Sequence, residues 1–305
     1  MHVGWIGTGR MGTAMAERLV DAEVELTAWN RTPAKAEPLR QHGAAVARTL
    51  GDLRGKDVVF TMVSDDTALQ EVLLGEDGLL ADTSRVPSVI VDCSTVSPEA
   101  SASVRRECAE RGAEFLAAPV SGNPVAVRAG RLALVVSGRR DAYDKVAPLL
   151  GHLGRSVSYA GEGDVARLVK IAHNLLLGVL TQTLAEITVL AEKGGVPRHA
   201  LLEFINNSVL GSVFTRYKTN AFVNLDYTPT FTPPLLQKDF DLGLSAARDL
   251  QAPMPTVELT AGLVQAMVES GRVNEDFAIL LDLQAAAAGL ELTPENVTPD
   301  DDLGT

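Results

Sequence analysis

Through its first half the chain alternates short runs rich in β-branched residues with longer stretches in which apolar side chains return every three or four positions. Runs of the first kind lie at 3–6, 24–29, 57–62, 88–92 and 114–117, and they predict strands of a parallel sheet covered on both faces by helices. Two further runs, 132–136 and 156–159, extend the same sheet. After Gly161-Glu162-Gly163-Asp164 the strand patterns stop and helical spacing takes over. A first helix over 165–193 would be about 43 Å long at 1.5 Å per residue, long enough to link two domains. Later helices are predicted at 197–207, 212–221, 235–250, 256–270 and 275–290, with Pro229, Pro233 and Pro234 punctuating the loop that leads to 235–250. The fold class that follows is α/β: a Rossmann-type doubly wound parallel sheet, then an all-helical domain, joined by a long interdomain helix. The expected boundaries are 1–163 for the first domain and 164–292 for the second. Residues 293–305, with Asp300, Asp301 and Asp302 among them, are expected to form an acidic, flexible tail.

Between the first strand and the first helix stands Gly7-Thr8-Gly9-Arg10-Met11-Gly12, a G-x-G-x-x-G pattern in the strand–turn–helix context that gives it meaning. Gly7 permits the tight turn, Gly9 lets a pyrophosphate approach the backbone, and Gly12 lets the helix pack closely on the strand. The helix then presents free amides to the phosphates. Which dinucleotide is bound is decided at the end of the second strand, where NAD-binding versions carry Asp or Glu to accept bonds from the ribose hydroxyls. Here that place reads Asn30-Arg31-Thr32. With no carboxylate in that segment to repel it, a 2′-phosphate would receive charge-assisted bonds from Arg31 and lesser ones from its neighbours, so NADP(H) is expected over NAD(H). Met62-Val63-Ser64, closing the third strand, is expected to line the adenosine-ribose side of the groove.

On the long helix, Lys170 and Asn174 are four positions apart and therefore neighbours on one face. A lysine can carry a proton, and an asparagine beside it can hold a hydroxyl in place. Beside a dinucleotide signature the pair suggests hydride transfer coupled to proton transfer. A lysine's reference pKa of about 10.4 is too high for efficient base work near neutrality, so such a site must lower it by burial or a nearby positive charge. His173 projects about 100° away from Asn174 and is read as a packing or domain-contact residue.

Composition narrows the classes. With 305 residues, 46% of them hydrophobic, the chain has the makings of a large core and about two domains. A net charge of −12 argues against sequence-independent binding to nucleic acid or anionic lipid. The only cysteines, Cys93 and Cys108, are too few for a disulfide framework and fit a reducing compartment. No 18-residue apolar run or signal-like leader is read, so the expectation is a cytoplasmic protein without a membrane partner. No His, Cys or carboxylate spacing recommends a metal, and no Gly-x-Ser-x-Gly elbow suggests a hydrolase.

Several of these segments together resemble the β-hydroxyacid dehydrogenase family, which includes 3-hydroxyisobutyrate dehydrogenase, tartronate semialdehyde reductase and the glyoxylate/succinic semialdehyde reductases. The resemblance covers almost the whole chain. Its opening stretch from Gly4 to Ala16 is similar to the cofactor motif, and Asp92-Cys93-Ser94-Thr95 to the D-x-S-T segment. Ala118-Pro119-Val120-Ser121-Gly122-Asn123, followed by Ala126, Gly130 and Leu132, is similar to the substrate-binding signature. Lys170-Ile171-Ala172-His173-Asn174 fits the catalytic K-x-x-x-N, and Lys238-Asp239, after Phe231 and Leu235, fits the segment that closes the site. The resemblance implies an NAD(P)-dependent enzyme acting on a small 3-hydroxy acid or its semialdehyde, with Lys170 as general acid and base.

Chemistry can be attached to the remaining segments. Backbone amides around Ser121, Gly122 and Asn123, with the Ser121 hydroxyl, suit a substrate carboxylate or carbonyl oxygen without an arginine. Asn123 departs from the family, which more often has a second glycine there, and its side chain narrows the pocket or adds a hydrogen bond. Thr95 is expected between nicotinamide and substrate, with a helix N-cap ahead of Ser97-Pro98-Glu99 as the competing role. Asp239 is expected to orient Lys170 or substrate, Lys238 to face the cofactor, and Phe231 to form an apolar wall or an ordinary core aromatic. An Ala- and Leu-rich helical half suggests a homodimer or homotetramer. Two alternatives stand beside the hydroxyacid reading: an imine reductase on the same fold, whose sites usually lack the lysine, and a non-catalytic NADP-binding scaffold.

Overall fold

The computed structural model describes residues 1–299. The chain divides into two compact units, one ending at Lys170 and the other beginning at Ile171. The division falls inside the long helix rather than at the expected 163/164.

The first unit opens β1 (Val3–Ile6), α1 (Arg10–Asp21), β2 (Leu26–Trp29), α2 (Glu37–Gln41), β3 (Ala45–Val46), β4 (Val58–Thr61) and α3 (Asp66–Leu74). It continues through β5 (Val89–Asp92), α4 (Pro98–Glu110), β6 (Glu114–Ala117), β7 (Val120–Ser121), α5 (Pro124–Arg128), β8 (Ala133–Ser137), α6 (Arg140–Leu153) and β9 (Ser156–Gly161). The strands read as unbroken apolar runs because both faces are covered. Val3 and Trp5, Val58 and Phe60, and Val89 and Val91 point to one core, against Met15 and Leu19 of α1 and Val146 and Leu150 of α6. Ile6, Val59, Ile90 and Phe115 point to the other, against Leu69 and Leu73 of α3 and Val104 of α4.

The strand order is β3-β2-β1-β4-β5-β6-β8-β7, with β9 beside β8. β1 through β6 pair in parallel, and the order reverses between β1 and β4. That reversal is a switch point, where the carboxyl ends of neighbouring strands leave a crevice for a ligand. The sheet is parallel-dominated rather than uniform, because β8 runs antiparallel to β6 and β7 and parallel to β9. β3 and β7 have two residues each, too few to leave a periodic signal.

The long helix α7 (Val165–Lys193) begins in the first unit and ends in the second. One 18-residue window in it has a mean hydropathy of 1.5 and half of it is buried, so by length and composition alone it matches a membrane-crossing helix. The expectation that no apolar run exists is corrected to that extent. Its polar side chains have partners within the second unit: the Gln182 amide donates to Gln284 at 3.1 Å and to Glu186 at 3.0 Å.

The second unit adds α8 (Arg198–Asn207), α9 (Val213–Asn224), α10 (Pro233–Asp249), α11 (Pro255–Glu269) and α12 (Leu280–Ala287). The last helix starts later than the expected 275, because Asp276 first caps a 3-10 turn over Phe277–Ile279. α7 and α10 approach closely through two glycines. A Cβ at Gly178 would lie 2.3 Å from the Phe240 ring, and one at Gly243 2.6 Å from Leu175. The expected flexible tail is corrected over its first residues. The Thr293 carbonyl accepts from buried Arg198, Glu295 accepts from the amides of Arg198 and His199 at 2.7 and 2.9 Å, and the Val297 carbonyl accepts from Asn224 at 2.7 Å. Asp300, Asp301 and Asp302 lie outside the described residues.

A buried ion pair holds the loop ahead of α10. Lys218 Nζ donates to the Asp276 carboxylate and to Thr230 Oγ1 at 2.9 Å, while Asp276 also accepts from the Thr230 amide at 2.9 Å and the Ala278 amide at 3.0 Å. Burial pushes the Asp276 carboxyl up, but the Lys218 charge and the converging hydrogen bonds pull it further down, below the ordinary carboxylate range. A lowered carboxylate contributes stability that is full above its unfolded pKa of about 4 and lost as the pH falls through its folded value. Lys218→Met should therefore cost about 3–5 kcal/mol in denaturant unfolding at neutral pH, because it strands a buried carboxylate. The deficit should shrink as the pH falls from the variant's higher carboxyl pKa toward the parent's lowered one, since the unfolded chain titrates alike in both.

Candidate active site

At the switch point the turn after β1 is built by close contacts. Gly7 has φ +97, and a Cβ there would fall 2.2 Å from the Met62 carbonyl oxygen. A Cβ at Gly12 would fall 2.0 Å from the Gly7 carbonyl oxygen, so α1 lies directly on the turn. Gly9 is different: a Cβ there meets nothing within 4 Å, and it faces open space as the N-cap of α1. The first turn of α1 holds no side-chain cap and no acidic residue. Thr8 Oγ1 is buried and has no hydrogen-bond partner among the described residues. Bare backbone, a helix N-terminus without a side-chain cap and an orphaned hydroxyl around one opening fit the pyrophosphate of a dinucleotide.

That opening belongs to a cavity of about 640 Å³ lined by Gly7, Gly9, Asn30-Arg31-Thr32 and Met62-Val63-Ser64. Three sequence-predicted segments thus meet in one place. Asn30 braces the turn, accepting from the Thr8 amide at 2.9 Å and donating to the Thr32 carbonyl at 3.0 Å. Arg31 is exposed at the mouth, 4.0 Å from the Glu71 carboxylate. The expectation of a carboxylate-free place holds for the end of β2 but not for the cavity, since Glu71, Glu76 and Asp77 from α3 and the segment after it line the same space. Lys35 lines it as well. Arg10 is exposed and Met11 half-buried on the first turn of α1.

The neighbouring strand ends are braced to this groove. The Val63 amide donates to Ser94 Oγ at 2.9 Å, and Ser94 Oγ donates to the buried Asp92 carboxylate at 2.6 Å. Thr95 follows, half-buried. It is not the helix cap, because Ser97 takes that role by accepting from the Ala100 amide at 3.1 Å. On the far side of the sheet Ser121 ends β7 and Gly122 has φ +141. Asn123 spends its carbonyl oxygen on capping α5, accepting from the Ala126 amide at 2.9 Å.

In the second unit Asn174 and Asp239 are both buried, and the Asn174 amide donates to the Asp239 carboxylate at 2.5 Å. The Asn174 carbonyl oxygen lies 2.9 Å from His173 Nδ1, so the imidazole and the carboxylate pin one amide from both ends. His173 is thus a direct partner of Asn174, a role its sequence position did not suggest. Lys238 is half-buried beside Asp239 on α10. Phe231 packs edge-on against Phe277 at 5.9 Å and is half-buried.

Residues 2–161 match the NAD-binding domain of 6-phosphogluconate dehydrogenase. Residues 161–284 match the family described as NAD-binding of NADP-dependent 3-hydroxyisobutyrate dehydrogenase. A 3-hydroxyisobutyrate dehydrogenase of Pseudomonas aeruginosa is 30% identical, over 92% of this chain and 97% of its own. The chain belongs to the β-hydroxyacid dehydrogenase family. The solved 3-hydroxyisobutyrate dehydrogenase of Mycobacterium tuberculosis with L-serine is 25% identical, with a TM-score of 0.82 over 93% of this chain and 99% of that one. An imine reductase of Myxococcus stipitatus in complex with NADP+ shares the fold at a TM-score of 0.60 and 24% identity, over 92% and 99%.

As a β-hydroxyacid dehydrogenase this chain is an NAD(P)-dependent oxidoreductase. Sequence reasoning passed over Glu71, Lys35 and Arg167. Glu71 and Lys35 carry no motif and enter the groove only through the packing of α3 and the turn after β2. Arg167 had a readable signal, since Asp92 closes a fully buried strand and a buried carboxylate needs a cation. Two glycine variants separate fold from binding. Gly9→Ala should leave thermal unfolding of the apoprotein nearly unchanged and weaken cofactor binding at least about tenfold in fluorescence titration. Gly12→Ala should lower the unfolding temperature itself, because the new Cβ meets backbone.

Proposed function

We propose that this protein is an NADP(H)-preferring oxidoreductase that interconverts a small 3-hydroxy acid and its semialdehyde or oxo form, with Lys170 moving the proton. The observation that carries the reading is the switch-point cavity whose β2 end presents Asn30, Arg31 and Thr32 in place of a carboxylate. The nicotinamide, when bound, supplies or accepts the hydride. The chain's own residues do the rest. Gly7, Gly9 and the first amides of α1 hold the pyrophosphate, with the Thr8 hydroxyl as a further donor. Arg31 takes the 2′-phosphate, aided by Thr32 and Lys35, and the Glu71 carboxylate competes for it.

Lys170 donates a proton to the carbonyl oxygen in reduction and removes it from the hydroxyl in oxidation. Asn174 holds that oxygen, its amide kept in one orientation by Asp239 and His173. Ser121, the backbone amides around Gly122 and Asn123, and Thr95 orient the substrate's carboxylate and reacting carbon. Lys238 faces the cofactor and Phe231 forms an apolar wall. Two relatives named for 3-hydroxyisobutyrate, one of them solved with L-serine, itself a 3-hydroxy acid, support this substrate class. A homodimer or homotetramer is part of the reading, supported by Leu190, Phe204 and Leu210, each more than two-thirds exposed in the second unit. A cytoplasmic location accords with two buried free thiols.

Lys170→Ala should lower kcat by about 10²- to 10⁴-fold while leaving NADPH affinity within a few-fold of the parent. Arg31→Ala should weaken NADPH about 10- to 100-fold and leave NADH nearly unchanged, and Glu71→Gln should shift the balance further toward NADPH. Equal or better efficiency of the parent enzyme with NADH overturns the NADP assignment. Turnover confined to cyclic imines, in a panel with small semialdehydes and 3-hydroxy acids, overturns the substrate class.

A further inference from the structure

One arginine is buried where the rest of its helix turn is apolar. Arg167 is 1% exposed and stands three residues before Lys170, one helical turn away on the same side of α7. Its guanidinium spreads over three groups of the nucleotide-binding unit. Nη2 donates to the Asp92 carboxylate, Nη1 to the Ser94 carbonyl at 2.5 Å, and Nε to Ser101 Oγ at 3.1 Å. The acceptors are themselves tied down. Asp92 accepts from Thr61 Oγ1 and Ser94 Oγ, both at 2.6 Å, and Ser101 donates to Asp164 at 2.5 Å. The amide of Ala166, the preceding residue, donates to Ser137 Oγ at 3.0 Å.

These bonds share a destination. Thr61 ends β4, Asp92 ends β5, and Ser94 is the residue before Thr95, so the guanidinium grips the strand ends beside the groove. A buried ion pair is a poor device for stability alone, since apolar residues of similar volume often do as well or better. What a planar fork with fixed donors adds is geometry, because it specifies several acceptors at once. We propose that Arg167 is a positioning residue for the reaction: it sets the height and rotation of the first turns of α7 against the end of β5, and so fixes the Lys170 amine relative to Thr95. The role rests on Lys170 being the proton carrier, as argued above. The Arg167 bonds run to Asp92, Ser94 and Ser101, so it acts through the position of its helix.

Displacing a reacting group by about 1 Å can cost on the order of 10²-fold in rate, and that sets the expected effect. Arg167→Met should keep NADPH affinity and KM within about threefold and lower kcat about 10²-fold. Arg167→Lys, which keeps the charge for Asp92 but loses the fork, should recover part of that loss. Ser101→Ala removes one acceptor with little threat to folding and should lower kcat by a smaller factor, about two- to tenfold. Each variant is judged as purified protein whose circular dichroism and unfolding transition show it folded. If Arg167→Met does not fold, Arg167→Lys and Ser101→Ala decide. Unchanged kcat in the folded variants overturns the positioning role, as does a loss confined to KM or to stability. Lys170→Ala in the same assay separates the two readings. If it is inactive while the Arg167 and Ser101 variants are unaffected, only the positioning role falls. If it retains full turnover, both fall.

Discussion

A carboxylate at the end of an apolar strand cannot be left alone, and much of the nucleotide-binding unit is arranged around that necessity. β5 reads Val89-Ile90-Val91-Asp92 and is buried along its whole length, Asp92 included. Taking an isolated carboxylate out of water costs far more than a small protein's net stability, so partners must converge on it. Two hydroxyls, one amide and the Arg167 guanidinium do so. Because the cation comes from α7, satisfying one charge also seats the start of the long helix against the sheet. The same set of bonds braces β4 and β5 to each other at their carboxyl ends, where an open α/β sheet receives its ligand.

The groove beside it is shaped by absences of side chain. Gly7 and Gly12 have no room for a Cβ, so the turn and α1 lie in direct backbone contact, whereas Gly9 has room and nothing in it. Gly7 and Gly12 are required by the fold, and Gly9 is the position left open toward the proposed ligand. The charge pattern at the mouth is mixed: Arg31 and Lys35 would draw a 2′-phosphate in, and Glu71, Glu76 and Asp77 would oppose it. Preference between the two dinucleotides is then a difference between opposing charges at an exposed rim, in which a charge-assisted contact from Arg31 to a 2′-phosphate would weigh more than the solvent-screened repulsion from the carboxylates.

Much of this was legible in the sequence. The strand runs and the glycine turn were, because burial on both faces and a forced turn leave dense local signals. α7 has the same bounds in the structure as in the apolar periodicity, 165–193. The short strands β3 and β7 were not, since two residues cannot show a period. Neither was the antiparallel arrival of β8, because strand direction is set by how the chain returns and not by composition. Within the candidate site, Asn30-Arg31-Thr32 and Met62-Val63-Ser64 were found because they follow strand ends at known offsets. Glu71 and Lys35 reach the groove from elements with no motif. His173 was read as turned away from Asn174, yet adjacent side chains on a helix can still meet when one is a ring and the other a short amide. The tail was read from its acidic end, but Glu295 and Val297 bind backbone and side chains of the helical unit.

The central claim is that the Lys170 amine meets the reacting oxygen of a 3-hydroxy acid beside the nicotinamide. A crystal structure of the enzyme with NADP and a slow-reacting 3-hydroxy acid tests it most directly. The account predicts Lys170 Nζ within hydrogen-bond reach of the substrate's 3-hydroxyl, at about 3 Å. An amine turned to bulk water and remote from that hydroxyl, with dinucleotide and acid both bound, would contradict it.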